Sequence, residues 1–261
     1  MKIKFDNTNN PEQPTLVLAS KSGRLQGIIP ATDIKIKDCM NAASEMSFEV
    51  QKANCHDLGV WAKIKDFRLA WVKEWNEFFE IHPTLKDSGN ISKSVQAVSL
   101  GEAELSQINV NGLEVNTEDD IARDDYVAKT IYNADDKKKS ILDLLLEKAP
   151  HYTVSHVDNS IASLQRSFSF DGKSIYDCLQ EIAKEVDCIF EIKCSMSSDG
   201  EMQRKIAVYD LESVCLDCGA RGDFNGKCEK CGSENITTSY GNDTTIFVSS
   251  ENLTDEVSYE T

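Results

Sequence analysis

The residues with the clearest chemical signature are four cysteines within seventeen positions. They form two C-x-x-C pairs nine residues apart, and a glycine follows each pair: Cys215, Cys218, Cys228 and Cys231. Four thiolates suit a tetrahedral zinc ion, and a site closed by four protein ligands leaves no open position for a substrate. The spacing therefore predicts a structural metal site. Zinc is the expected ion, iron bound as in rubredoxin is an alternative ion, and two disulfides or free thiols are the other interpretations.

The sequence motifs for catalysis and for nucleic-acid binding are weaker than the motif for a metal site. A ribbon that grips nucleic acid should carry a basic face with aromatics, whereas residues 215–240 are slightly acidic. The chain has four histidines, with no H-E-x-x-H pair, and it has no P-loop, G-x-S-x-G or G-x-G-x-x-G motif. His156 and Asp158 could form a catalytic pair, but the sequence shows no nucleophile for them. We therefore assign no catalytic or cofactor-binding residue, and we interpret the ribbon as a clip whose folding energy comes from metal.

The acidic residues are concentrated in two segments. The net charge is −16; residues 101–136 carry ten acids against two basic residues, and residues 241–261 carry five acids and no Lys or Arg. Such a chain repels phosphate backbones. The charge favours either a solvated surface that aids solubility or a surface that nucleic acid passes without binding.

The cysteine count and the polar N-terminus bear on the cellular compartment. The start has no signal-peptide core, and the apolar run from Ile141 to Leu146 is too short to span a bilayer. Together with an odd number of cysteines, nine in all, this predicts reduced thiols, no membrane anchor and a chain made in the cytosol. The other five cysteines are expected to be small buried residues: Cys39, Cys55, Cys178, Cys188 and Cys194.

The elements before the cysteines are predicted to be mainly short strands. Residues 13–60 show strand-like alternation with turn residues between the segments. The aromatic stretch from Phe67 to His82 predicts a hairpin with its turn at Glu74–Glu77, although the spacing of Trp71, Trp75 and Phe78 also fits a helix. We expect these aromatics in the core, with a platform for stacking bases as the alternative. Asn111-Gly112 predicts a second hairpin turn.

Two helices and two further strands are predicted to follow. Ser140 with Asp143 and Ser174 with Asp177 have the spacing of capping boxes, and Pro150 ends the first helix. Residues 174–187 carry an apolar stripe at helical spacing. Strands over residues 188–194 and 205–214 complete a strand, helix, strand, strand module directly before the ribbon.

Several of these stretches together resemble one protein family. The order "SFSFDGKSIYDCLQEIAKEVDCIFEI", "AVYDLESVC", two C-x-x-C-G knuckles and "YGNDTTIFVSSENLTDEVSYET" is similar to the N-terminal region of phage tail minor structural proteins. Such proteins occur in siphoviruses and in prophages of Gram-positive bacteria. Upstream, "WAKIKDFRLAWVKEWNEFFEI", "EAELSQINVNGLEVN" and "KAPHYTVSHVDNSIASLQRSFSF" fit the same pattern, so the resemblance begins at about residue 15.

The resemblance implies a baseplate-hub or tail-tip protein of the prophage endopeptidase tail or tail-associated lysin type. In that family the N-terminal region forms a homotrimer, with barrel-like domains around a central channel, and docks on the ring of distal tail protein. The expected partners are thus a second and third copy, the distal tail ring and other tail proteins, in the virion tail, without specific nucleic-acid binding. The family transfers no catalytic residue to these positions, so we expect no enzyme. The alternative is a tail-associated cell-wall hydrolase, a peptidase or glycosidase.

The expected fold is α+β and predominantly β, divided into four regions. Residues 1–117 would form the barrel-like hub domain and residues 118–212 the α+β module. Residues 213–240 would be the zinc-ribbon insertion, and residues 241–261 a returning strand and the start of a missing C-terminal region. A channel that conducts DNA should be lined by acids, but which acids face it is left open.

Overall fold

The computed structural model describes most of the chain as two compact units. The described residues are 13–39, 42–82, 86–88, 91–211, 213–222, 227–238 and 254–259. Unit 1 comprises those of Met1–Glu104, Lys193–Arg204 and Thr244–Thr261, and unit 2 those of Leu105–Ile192 and Lys205–Asp243. Within these described ranges, no helix has the length and apolar character needed to cross a membrane. The predicted boundaries at residues 117, 212 and 240 stay a prediction.

Short strands outnumber the helices. In chain order the strands are β1 (Leu16–Ala19), β2 (Leu25–Ile29), β3 (Ala31–Cys39), β4 (Glu45–Gln51), β5 (Leu69–Val72), β6 (Glu77–Ile81), β7 (Lys86–Ser88), β8 (Ser92–Ser99), β9 (Asn109–Val110), β10 (Leu113–Val115), β11 (Thr153–Val157), β12 (Phe168–Phe170), β13 (Lys173–Ser174), β14 (Cys188–Met196), β15 (Met202–Asp210), β16 (Ser213–Cys215), β17 (Arg221–Gly222), β18 (Ile236–Thr238) and β19 (Thr254–Tyr259). The helices are α1 (Leu58–Lys63), α2 (Leu100–Leu105), α3 (Glu118–Ile121), α4 (Ile141–Leu146), α5 (Asn159–Ala162) and α6 (Ile175–Val186). The predicted α+β, predominantly β class is confirmed.

Unit 1 is built on one antiparallel sheet. Its strand order is β19-β3-β4-β8-β6-β5-β1-β2, with β7 beside β8. Alternation along the strands directs one side of the sheet into a single core, as Met46, Phe48 and Val50 of β4 show. The barrel-like expectation is corrected here, because the described strands form an open order that ends at β19 and β2 without closing into a barrel.

Helix α1 contributes to the same core and is capped by side chains at both ends. At its start, Asp57 accepts a hydrogen bond from Gly59 N (2.6 Å). At its end, the buried Lys93 donates from Nζ to the carbonyl oxygens of Trp61 (2.9 Å) and Ile64 (2.8 Å). The last carbonyls of a helix have no partner within the helix. Trp61 O also accepts from Ile64 N, so the lysine matters most for the Ile64 carbonyl, which would otherwise be buried at a cost.

The aromatic stretch forms the predicted hairpin, and the helical alternative is wrong. Strands β5 and β6 pair with Trp71 opposite Phe78 and Ala70 opposite Phe79. Phe78 and Phe79 point to opposite faces and are both fully buried, which confirms them as core residues. Phe67 was expected in the hairpin and in the core, but it lies in neither. It precedes β5, has a left-handed φ of 60° and is half-exposed.

The tip of the β14–β15 hairpin contacts the rest of unit 1 at the β5–β6 turn and at α2. Asn76, in the β5–β6 turn, accepts from Met196 N and donates to Met196 O, both at 2.8 Å. Arg204 forms two hydrogen bonds to the Glu104 carboxylate, at 2.7 and 2.8 Å. Paired contacts of this kind fix orientation as well as distance, so residues 193–204 are held firmly on unit 1.

Unit 2 contains α6, the longest helix among the described residues. Helix α6 begins with the predicted capping box, in which Ser174 and Asp177 each bond to the other's backbone. Its predicted apolar stripe is buried, which confirms residues 174–187 as a helical region. A three-stranded sheet of order β11-β15-β14 follows. At α4, Ser140 accepts from Asp143 N (3.1 Å), which is the serine half of the predicted capping box, and the helix ends at Leu146, before Pro150.

The hairpin predicted at Asn111-Gly112 is wrong, although the turn forms. Gly112 has a φ of +63°, as a tight turn requires. The flanking strands do not pair with each other: β9 pairs with β13 and β10 with β12. Asp171, from the turn between β12 and β13, accepts from Gly112 N (3.0 Å). The two turns therefore stabilise each other by long-range pairing.

An acidic loop in unit 2 is organised around one buried carboxylate. Asp120 is 4% exposed, and it accepts from Lys129 Nζ (2.7 Å) and Asn116 N (2.9 Å). Burial by itself raises the pKa of Asp120, but these two donors outweigh burial and the pKa is lowered. The loop is consequently anchored at pH 7 although most of its acids are exposed.

Candidate metal centre

Each C-x-x-C pair forms the same tight turn. Gly219 N donates to Cys215 O (2.8 Å), and Gly232 N donates to Cys228 O (2.7 Å). The two glycines have φ values of +67° and +74°, a conformation that a residue with a Cβ adopts only with strain. The glycine after each pair is therefore required by the turn.

Short backbone ladders support the first turn. Strand β16 pairs with β17 on one side and β18 on the other. Cys215, the last residue of β16, donates from its backbone N to Ala220 O (2.8 Å), and Cys228 donates to Ser233 O at the same distance. The two knuckles thus repeat one local geometry, and residues 213–222 and 227–238 together are called the ribbon below.

The four thiols converge. All four sulfur atoms lie within 4.8 Å of one another, and Cys215–Cys231 and Cys218–Cys228 each have Sγ atoms 3.5 Å apart. In a tetrahedral zinc site with Zn–S bonds of about 2.3 Å, sulfur atoms lie about 3.8 Å apart. The donor set and its spacing are therefore compatible with a metal ion bound by four thiolates.

The thiols differ in how easily they ionise. Burial opposes ionisation of Cys215, but backbone N–H groups of Cys218 and Asp217 direct their dipoles at its sulfur and lower its pKa to about 7. At Cys231 the backbone N–H of Ser233 also favours the thiolate, yet the thiols of Cys218 and Cys215 outweigh it and raise the pKa to about 12. Four neighbouring thiolates repel one another, so a cation is needed to hold all of them deprotonated.

A polar bridge that sequence reasoning missed connects the knuckles. Ser233 Oγ donates to Asp217 Oδ2, and Asn235 Nδ2 donates to Asp217 Oδ1 (3.1 Å). These hydrogen bonds, from Ser233 first and then Asn235, lower the pKa of Asp217. An aspartate between two cysteines looks in the sequence like any solvated acid, since its partners lie 16 and 18 positions away.

The structure brings His156 and Asp158 together, as the sequence suggested. Their hydrogen bonds have a structural explanation, because they join two strands. Asp158 Oδ1 lies 3.1 Å from His156 Nε2, and its Oδ2 accepts from Asp210 N (2.8 Å). Ser160 Oγ donates to the Asp210 carboxylate. These bonds tie the end of β11 to the end of β15, and the assignment of no catalytic residue stays a prediction.

The remaining cysteines fit the expectation of buried side chains. Cys55, Cys178, Cys188 and Cys194 are buried and unbridged, which confirms the prediction for them. Burial raises the pKa of Cys178 to about 11 and of Cys188 to about 12, so these thiols stay protonated at neutral pH. The side chain of Cys39 lies outside the described residues.

Comparison with known proteins finds likeness in fold. No family model matches the chain, and no curated protein matches its sequence. The prophage tail protein gp18 of Listeria monocytogenes EGD-e is similar at a TM-score of 0.47 and 10% identity, over 74% of this chain and 50% of that chain. The tail protein of Neisseria meningitidis MC58 follows at 0.44 and 13%, over 79% and 52%.

A third structure of this kind is the 43 kDa tail protein of prophage MuSo2 from Shewanella oneidensis. Its TM-score is 0.44 at 11% identity, over 78% of this chain and 56% of that chain. This chain spans about half the length of these three solved proteins. These three similar structures are tail proteins.

Proposed function

We propose that this chain is a structural component of the tail tip of a siphovirus-type phage or prophage. As a baseplate hub it would assemble as a homotrimer around the tail channel and dock on the distal tail ring. The observation that carries the proposal is the order of elements after α6. The β14–β15 hairpin leads into the ribbon, and β19 then pairs along β3 from Thr254↔Cys39 to Tyr259↔Ile34. The quoted sequence motifs of the family occur in that same order.

The charge of the surface supports this function physically. Glu118, Asp119, Asp124 and Asp125 are exposed, and the whole chain carries a net charge of −16. A protein that surrounds a DNA channel must not bind the phosphate backbone, since each neutralised phosphate strengthens binding. Excess negative charge meets that requirement. We accordingly propose no specific nucleic-acid binding.

We propose that the ribbon binds one structural Zn²⁺ through Cys215, Cys218, Cys228 and Cys231. The mutual sulfur distances and the soft donor set support zinc, with iron as the alternative ion. When bound, the ion would supply the folding energy that so short a segment cannot obtain from an apolar core. Elemental analysis of the purified chain tests this. One zinc per chain supports the proposal, iron with visible absorption supports the alternative, and a metal with a bound exchangeable water contradicts a closed site.

Labelling of intact particles tests the tail-tip role. Antibodies raised against this chain should label the end of the tail distal to the head in particles from the source phage or induced prophage. Absence of label from intact, purified particles would contradict the proposal. Zymography of the same protein separates the alternative, because clearing of peptidoglycan by this chain would support a tail-associated hydrolase.

A further inference from the structure

An exposed turn of unit 2 carries a dipeptide that is prone to deamidation. Asn111-Gly112 connects β9 to β10, and the second Asn-Gly of the sequence, Asn225-Gly226, lies outside the described residues. Asparagine followed by glycine reacts readily, because glycine has no side chain to hinder the approach of its backbone nitrogen to the asparagine side chain. The turn is therefore a candidate modification site.

The reaction would consume one water molecule and release one ammonia molecule. Gly112 N would lose its proton and attack Asn111 Cγ, so that a new N–C bond forms while the Cγ–Nδ2 bond breaks and ammonia leaves with the proton. Water would then open the cyclic imide to aspartate or isoaspartate. No oxidant or reductant is required, and the first step depends on Gly112 N being free to approach the Asn111 side chain.

Burial does not hinder this reaction. Asn111 and Gly112 are exposed, as are Asp171 and Gly172 in the turn between β12 and β13. A Cβ placed on either glycine would meet no atom of the described residues within 4 Å. Water reaches the site, so any restraint on the reaction has to come from hydrogen bonding and backbone geometry.

The Asp171 carboxylate holds the nucleophile of the reaction. Strand β9 pairs with β13 and β10 pairs with β12 in one continuous register, which places Gly112 opposite Asp171. Gly112 N donates to Asp171 Oδ1 at 3.0 Å. Cyclisation would break this hydrogen bond, and it would create a deprotonated nitrogen beside a carboxylate, where like charges repel.

Strand pairing restrains the backbone on both sides of the turn. Val110 and Leu113 flank Asn111-Gly112, and each pairs with a residue of the facing strands. Val110 is 2% exposed, so a buried side chain anchors this ladder. Closure of the imide ring requires the backbone between Val110 and Leu113 to rotate, which the ladder opposes because both ends of the turn are fixed.

Deamidation would disturb the start of α6. Ser174, the N-cap residue of α6, pairs with Asn109 of β9. Isoaspartate would add one carbon to the backbone at position 111, and either product would place a second carboxylate near Asp171. The longer backbone does not fit a continuous register and the like charges repel, so both changes would weaken the ladder that positions Ser174.

We propose that Asp171 protects Asn111-Gly112 from deamidation by holding the Gly112 N–H group in a hydrogen bond to its carboxylate. Asp171 is thus a positioning residue at a modification site, and it acts on the nucleophile of the reaction. The inference goes beyond the proposed function and does not depend on it, because the reaction involves only this turn and water. Failure of the tail-labelling experiment would leave it unchanged, and its own failure would leave the tail-tip role unchanged.

Peptide mass spectrometry of the folded chain, incubated in mildly alkaline buffer, tests the proposal. Asp171→Ala should raise the deamidation rate of Asn111 about tenfold, because it removes a hydrogen bond to a charged acceptor. Asp171→Ser offers a neutral acceptor oxygen, so it should raise the rate less. Glu114→Gln is the control: Ser169 Oγ donates to Glu114 Oε1 (2.6 Å) in the same pair of strands, and loss of this carboxylate should leave the rate unchanged.

Two reference measurements separate protection by this hydrogen bond from other effects. Each digest also reports Asn225-Gly226, whose deamidation rate should be the same in wild type and in the variants. In concentrated urea, Asn111 should deamidate equally fast in all of them and at least about tenfold faster than in folded wild type, since the ladder and the hydrogen bond to Asp171 are both lost.

Three results would overturn the proposal. Equal rates at Asn111 in folded and unfolded wild type would show that the fold gives no protection, and an unchanged rate in folded Asp171→Ala would show that Asp171 does not provide it. Slower deamidation in Asp171→Ala would show that the carboxylate instead assists removal of the Gly112 proton. Hydrogen exchange of α6 reveals whether Asp171→Ala is folded, and Asp171→Ser carries the same test if it is not.

Discussion

The sheet of unit 1 and the ribbon of unit 2 are both made of short antiparallel strands, but they bury different atoms. In the sheet, aliphatic and aromatic side chains from seven strands and α1 share one core. Among the ribbon residues whose burial is described, Cys215 and Cys228 are buried most completely. The first region is held by surface removed from water, whose free energy scales with apolar area. The second brings together four thiols that a cation can join.

This difference predicts that the two regions respond differently to the substitution of a single buried residue. An apolar core distributes its free energy over many contacts, so one truncation weakens the core without abolishing it. A metal centre depends on every ligand, because a single lost thiolate opens the coordination shell. Loss of one thiolate should therefore have a more complete local effect than truncation of one core side chain.

Cys228→Ser should cause the most complete local loss. The variant is expected to retain almost no metal and to lose the fold of the ribbon, since binding and folding of such a segment are coupled. Helix α6 should remain folded. Elemental analysis and hydrogen exchange measure the two effects. Glu229→Gln, in the same knuckle, is the matched control and should keep its metal; retention of metal by Cys228→Ser would contradict four-thiolate binding.

Phe48→Ala should weaken unit 1 without releasing metal. Phe48 is almost fully buried in the sheet core, so its truncation should cost about 3–5 kcal/mol of unfolding free energy. Urea unfolding measures this, with metal content determined in parallel. The exposed Ile91→Ala is the control and should change stability by less than about 0.5 kcal/mol. Metal loss in native Phe48→Ala would show that the two regions are not stabilised separately.

Asn76→Ala should weaken the attachment of the hairpin tip by about 2 kcal/mol, because it leaves Met196 N and O without these partners. Asn76 also has a left-handed φ of 54°. Asn76→Gly removes the same hydrogen bonds but tolerates that φ, so it should be about 1 kcal/mol more stable than Asn76→Ala. Equal stabilities of the two variants and wild type in urea would contradict the role of Asn76.

Acid should remove the contribution of Asp120, the smallest effect of the four. Its lowered pKa means that the folded chain binds this proton less readily than the unfolded chain. The stabilisation is therefore present above the unfolded pKa of about 3.9 and is lost as the pH falls through the folded value. Asp120→Asn should cost about 1 kcal/mol at pH 7, and the cost should shrink as the pH falls from about 3.9 through the lower folded pKa.

Urea unfolding of both proteins at several pH values measures this convergence. Asp119→Asn, an exposed neighbour, is the control and should follow wild type throughout. A constant difference between Asp120→Asn and wild type across the acidic range would show that the ionised form of Asp120 is not what stabilises the loop.

Several parts of the fold could be predicted because their signals are local. The capping box of α6 lies within four consecutive positions, Ser174 to Asp177, and the two cysteine turns lie within five residues each. Alternation along β4 indicated which side of the strand is buried. The aromatic hairpin allowed two periodicities, and its correct assignment depended on the pairing of β5 with β6.

Other parts could not be predicted because partners distant in sequence decide them. The turn at Gly112 formed as expected, but β9 and β10 found partners about 60 positions later, in β13 and β12. The acceptor role of Asp217 depends on Ser233 and Asn235 from the other knuckle. Phe67 has an aromatic side chain in a half-exposed turn, which hydropathy alone assigns to the core.

The sequence alone was sufficient to predict a cluster of four cysteines, the α6 cap and the excess of negative charge, because residue type and short spacing determine these properties. Tertiary structure decided that the sheet stays open and that Asn76 and Glu104 hold the hairpin tip. Those features depend on which distant strands lie side by side. Strand pairing is selected by the free energy of the whole core, to which each local segment contributes only a part.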